Sequence, residues 1–140
     1  MTEQPQRSPS FIGSEAAATD MAVAVMSRLG FADARPAADA RATGLSVVAE
    51  RAVARVAFSG QVNMSDLQRL GAVHELDPDM ALLAFSASGY SDATRAFAES
   101  TGIALFVYDP LGRVYAVNDH AVPYERLLKA HAEEGANLQP

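Results

Sequence analysis

The chain contains no cysteine, so no disulfide, thiolate zinc site or cysteine nucleophile can be built from it. Lysine is almost as scarce. Lys129, close to the C-terminus, is the only one, and any chemistry that needs a lysine has that residue alone to use. No apolar run approaches the roughly 20 residues of a membrane-spanning helix, so no membrane partnership is expected. The N-terminal M-T-E-Q-P-Q-R-S-P-S is polar and lacks the apolar core of a secretory signal, which makes a cytoplasmic location the expectation. Positive charge is short too. Eleven Lys and Arg stand against 17 Asp and Glu, a formal net charge of −6, which opposes nucleic-acid binding unless arginines gather in a local patch. The glycines form neither a phosphate-cradling loop nor a dinucleotide fingerprint, and no serine occupies a G-x-S-x-G elbow. His74, His120 and His131 fall in different elements without the spacing of a helical metal pair, and read as exposed or capping residues.

What is present is enough to fill a core. A hydrophobic fraction of 49% over 140 residues is that of an ordinary globular domain. A disordered tail is expected over 1–13, one domain over 14–134, and a second tail over 135–140. Ser14 has the chemistry of an N-cap, and Ala18, Met21, Ala22, Val25, Met26 and Leu29 recur at helical spacing up to Gly30. Residues 31–41 read as a short strand or loop in which Asp33 and Asp39 are solvated. The segment T-G-L-S-V-V-A-E-R-A-V-A-R-V-A-F-S-G, residues 43–60, reads as two strands joined by a tight turn at Glu50-Arg51. A second helix follows, capped by Asn63 or Ser65, with Leu67, Leu70, Val73 and Leu76 on one face. M-A-L-L-A-F-S-A (80–87) and I-A-L-F-V-Y (103–108) are continuous apolar runs that suit central strands covered on both faces. Between them a third helix starts at Ser91 or Asp92, with Ala93, Ala96 and Phe97 inward. R-V-Y-A-V-N (113–118) alternates like an edge strand. A last helix spans 122–133, with Leu127 and Leu128 inward. Asp109 and Asp119 flank the final strands and read as turn residues. Strands alternating with helices imply an α/β domain with parallel neighbours in its sheet.

Four pieces carry a resemblance. R-L-G-F at 28–31 closes the first helix, with Asp33-Ala34 after it. L-Q-R-L-G-A occupies 67–72. L-L-A-F-S-A-S-G-Y-S at 82–91 leads into A-T-R-A-F-A at 93–98. G-I-A-L-F-V-Y-D follows at 102–109. In this order and spacing, from Glu15 to Ala121, the chain resembles the Mrr-like family of the restriction-endonuclease-like PD-(D/E)xK fold. The resemblance implies a central mixed sheet, a hairpin followed by parallel strands, flanked by helices. In that family an Asp on the first hairpin strand and an acidic or Gln residue on the second hold a divalent metal, and a Lys two residues on positions the attacking water. The matching positions here are Ser46, Arg55 and Ala57, and the family's helical Glu falls near Thr19 or Asp20. Serine is a poor ligand, arginine repels a cation, and alanine can do neither job.

The resemblance therefore implies a catalytically inactive nuclease-fold domain, without a cofactor, that binds a protein partner, a second copy of itself, or DNA it does not cleave. Arg51 and Arg55 are the candidate nucleic-acid contacts. A structural ion pair of Arg55 with Glu50 or Asp39 is the simpler use of the same charge and takes precedence. The edge strand at 113–118 offers a surface for pairing across a dimer axis. The alternative reading is a Mg²⁺-dependent endonuclease whose acids have moved to Asp20, Asp39 or Glu50. A weaker third is a small ligand bound in the vacated groove.

Overall fold

In a computed structural model, which describes residues 11–137, six strands form one mixed sheet between two layers of helices. The first helix, α1 (Glu15–Arg28), begins at Ser14, whose Oγ accepts the Ala17 N–H at 3.0 Å. Ala18, Ala22, Val25 and Met26 line its buried side. Then come β1 (Arg35–Pro36), the one-turn α2 (Ala40–Thr43), β2 (Val47–Val48), β3 (Ala52–Ala57), α3 (Met64–Leu76), β4 (Ala81–Ser86), α4 (Asp92–Thr101), β5 (Ile103–Tyr108), β6 (Val114–Ala116) and α5 (Val122–Asn137).

The strands lie side by side in chain order. β1, β2 and β3 pair antiparallel, β3, β4 and β5 run parallel, and β6 returns antiparallel on β5. The expected class is thus the observed one, a mixed α/β sheet with a hairpin leading into parallel strands, and it is compatible with the restriction-endonuclease-like fold. The hairpin turns where expected, with Ala49 N–H donating to Ala52 O at 2.8 Å. The apolar runs of β4 and β5 are buried almost throughout, because helices cover both faces. Right-handed crossovers between neighbouring parallel strands place α3 and α4 on the same face, where Leu67, Leu70 and Ala98 pack on Val53, Leu82 and Leu105. α1 and α5 cover the other. There the rings of Phe85 and Phe106 stack at 5.1 Å, and Tyr124 leans on Phe106 at 6.4 Å. Among the described residues, no helix is long and apolar enough to cross a membrane.

Residues 31–41, expected as a short strand or loop, include a short strand: Arg35 and Pro36 pair with Val48 and Val47, making a three-stranded meander of the hairpin. Asp33 is exposed in its loop, as expected, and its Oδ2 also accepts the Glu50 N–H at 2.7 Å, which ties the loop to the turn. Other local expectations need correction. The first hairpin arm is shorter than its apolar content predicts. Thr43 closes α2, and Gly44, at φ 75°, turns the chain out of the helix before β2. Leu76 is 89% exposed. At about 100° per residue, the nine positions from Leu67 carry it half a turn away from the buried face. In α4 the buried positions are Thr94 and Ala98, beside a half-buried Phe97, while Ala93 and Ala96 face outward. Leu128 packs on the core but Leu127 is 45% exposed, since adjacent helical residues diverge by that same 100°. The last helix runs on through Gly135 to Asn137.

Of the expected N-terminal tail, residues 1–10 lie outside the described residues, as do 138–140 at the other end. Ile12, inside that expected tail, donates its N–H to Pro110 O at 2.7 Å and packs against the core.

Candidate functional site

The positions singled out by the resemblance line two depressions that share Glu15 as a common wall. One, about 340 Å³, lies between α1 and the β1–β2 region and includes Thr19, Asp20, Arg41 and Ser46. The other, about 320 Å³, lies where β3 ends and α3 begins, and includes Arg55, Ala57, Ser59, Gln61, Asn63 and Asp66. The structure thus groups Ser46 with the α1 positions Thr19 and Asp20, and places Arg55 and Ala57 in the neighbouring crevice.

Ser46 is buried, and each of its polar groups is engaged in the sheet. Its N–H donates to Ala54 O at 2.8 Å, although Val47 is the residue registered opposite Ala54. Two residues facing one is a β-bulge. The Ser46 carbonyl accepts the Ala37 N–H at 2.9 Å. Its Oγ accepts the Val56 N–H at 2.9 Å, standing in for the backbone acceptor that the bulge displaces. The hydroxyl is therefore part of the framework.

Alternation along β3 turns Val53, Arg55 and Ala57 toward α3. The Arg55 Nε lies 3.3 Å from Asp66 Oδ1, and the two side chains are only 24% and 16% exposed. The expected partners, Glu50 and Asp39, are not the ones used. Asp66 is held by a capping box: its Oδ2 accepts the Asn63 N–H, and Asn63 Oδ1 accepts the Asp66 N–H, each at 3.0 Å. The close approach of Arg55 is not a hydrogen bond, and its buried Nε–H has no acceptor. Ala57 is buried in the apolar cluster under α3 and offers no polar side-chain atom, while its carbonyl accepts the Tyr108 hydroxyl at 2.8 Å. Burial raises the pKa of Tyr108, and raises that of Tyr90 far more. The Tyr90 hydroxyl reaches Phe106 O at 2.6 Å and Ala84 O at 3.2 Å.

A divalent cation asks for several hard oxygen donors. At these positions the serine oxygen already accepts an amide proton, the arginine would repel a cation, and the alanine offers no side-chain donor. The donor set does not fit Mg²⁺. Nor do the alternative acids converge. Asp20 lines the first depression, Asp39 precedes α2, and Glu50 sits at the far end of the hairpin. Among the described residues, no group of three or more His, Asp or Glu is placed to hold a metal ion.

The candidate nucleic-acid contacts are separated as well. Arg51 lies four residues from Arg55, about 13 Å along the strand, in a depression that it shares with Glu50, Asp77 and Asp79. Other arginines are matched by acids in the same way, Arg35 with Asp33 at 3.7 Å and Arg113 with Asp109 at 2.8 Å. Partial burial pushes the Asp109 carboxyl up, but hydrogen bonds from Arg113 and Leu111 outweigh it and hold the pKa below the ordinary value. Asp109 is a turn residue, as expected, accepting the Leu111 and Arg113 N–H groups. His120 places Nε2 2.9 Å from Glu99 O near the end of α4, in keeping with its reading as a capping residue.

The sequence reading missed Glu15 and Asp66. The Asn63-x-x-Asp66 spacing is a legible capping signal, whereas the approach of Arg55 to Asp66 depends on how α3 docks against β3. No family model matches the chain, and no curated protein or solved structure matches it either.

Proposed function

We propose that the chain is a non-catalytic, Mrr-like nuclease-fold domain that acts as a protein-binding module. The observation that carries this is the fate of Ser46. At the position where the family's metal-holding Asp would stand, a buried hydroxyl is committed to the Val56 amide. Arg55 against Asp66, and Ala57 in place of the lysine, support the same reading. A protein partner is favoured over DNA by the net charge of −6 and by the acids that stand beside the arginines. Exposed apolar surface supports it too, since Phe11, 71% exposed, and Leu111, 44% exposed, line one depression with Met21 and Ala24.

Self-association through the sheet edges is the less favoured form of that partnership. The outward Ala116 N–H of β6 is taken by Glu125 Oε2 at 2.9 Å, and the opposite edge, β1, is two residues long and contains Pro36. Incubation with supercoiled plasmid in Mg²⁺ or Mn²⁺ tests the loss of catalysis. The expected outcome is intact plasmid. Metal-dependent nicking that disappears on replacing Asp20, Asp39 or Glu50 would establish the endonuclease reading instead.

A further inference from the structure

The crevice at the end of β3 contains one carboxylate without a partner, that of Glu15, and a guanidinium, that of Arg55, whose charge is offset by Asp66 but whose hydrogen-bond donors the fold leaves unused. Arg55 is three-quarters buried, yet its guanidinium makes no hydrogen bond among the described residues, and its Nε–H is shut off from solvent. A guanidinium has five N–H donors in a fixed fork, suited to a carboxylate. Across the same crevice, Glu15 projects from the first turn of α1, exposed and without an ion pair or hydrogen bond to its carboxylate. Asp66 already lies 3.3 Å from Arg55 and offsets its charge, so Glu15 gives the crevice a net negative charge. A simple anion is disfavoured by that sum, and a simple cation by Arg55. A ligand carrying both charges meets neither objection. Ser59, Gln61 and Asn63 add neutral polar groups to the wall. The volume, about 320 Å³, is at the small end of ligand sites.

We infer that this crevice binds a small zwitterion of the α-amino acid type, with its carboxylate on the Arg55 guanidinium and its ammonium on the Glu15 carboxylate. The inference rests on the crevice alone and stands or falls independently of the nuclease-fold reading.

Thermal unfolding of the full chain at constant ionic strength tests it, with glycine, L-alanine and L-glutamine as probes. Sodium acetate, methylammonium chloride and potassium phosphate are the single-charge controls. A saturable rise of a few degrees is expected with at least one amino acid and with none of the controls. Glu15→Gln should abolish that rise. Glu15 is exposed and unpaired, so this variant keeps the fold and the test does not depend on Arg55→Gln, which disturbs the approach to Asp66. An equal rise with acetate or phosphate, an equal rise with methylammonium, no rise with any amino acid, or an undiminished rise in Glu15→Gln would each overturn the proposal.

Discussion

Single side chains at the candidate site do structural work that their chemical type does not announce. Ser46 is the clearest case. Its hydroxyl replaces a missing ladder acceptor, so Ser46→Ala leaves the buried Val56 N–H unpaired. The expected cost is about 1–3 kcal/mol, read as a lower urea midpoint with an unchanged slope; an unchanged midpoint would show that the bulge does not need the hydroxyl. Substitution by Ala would normally be mild at a serine presumed to face a groove, and the difference comes from a register detail invisible in the sequence. Arg55 teaches the same lesson in reverse. The sequence showed a cation at a place where a metal would be expected, but the neighbour that neutralises it, Asp66, is eleven residues on and reaches it only through the docking of α3. The hydroxyls of Tyr90 and Tyr108 are similarly internal, tying β4, β5 and the end of β3 together at their carbonyls.

Among the elements, the long ones were legible and the short ones were not. α1, α3, β4 and β5 have strong periodicity or continuous apolar runs, with caps at Ser14 and Asn63 that the residue types announce. β1 is two residues long and holds a proline, and only its pairing with β2 makes it a strand. β2 carries the bulge, which breaks the alternation that would have marked it. The error at Leu76 came from extending a stripe beyond the turn over which it stays aligned, and that at Leu127 from placing two adjacent helical residues on one face. The β6 edge is protected by a side chain from another element, which no reading of β6 alone could reveal. Glu125→Ala removes that protection. Hydrogen exchange should show the Ala116 amide slowed in the wild type and roughly fivefold faster in the variant, as loss of one hydrogen bond worth about 1 kcal/mol implies. Equal exchange rates would mean that Glu125 does not guard the edge.

For the whole molecule, the buried tyrosines link stability to pH. Burial raises the pKa of Tyr90, Tyr108 and Tyr124 above the ordinary 10.0. The unfolded chain therefore loses these protons first. The stability that their burial confers is fully present below the unfolded pKa and is lost as pH rises beyond it. In a Tyr115→Phe background, tyrosinate absorbance should appear together with loss of far-ultraviolet dichroism; tyrosinate forming while the dichroism persists would contradict the burial of these hydroxyls. The class of the sheet was legible because it depends on element order, which the apolar runs encode. Function was less so, because it depends on which charges meet across elements.

The central proposal is that this domain binds a protein and does not cleave DNA. Fluorescence anisotropy with labelled duplex DNA, at low and moderate salt with Mg²⁺ present, tests it most directly. The account predicts no binding at moderate salt and an intact probe. Tight binding that weakens steeply with salt, lost in Arg55→Ala, would contradict the preference for a protein partner, and cleavage of the probe would contradict the loss of catalysis.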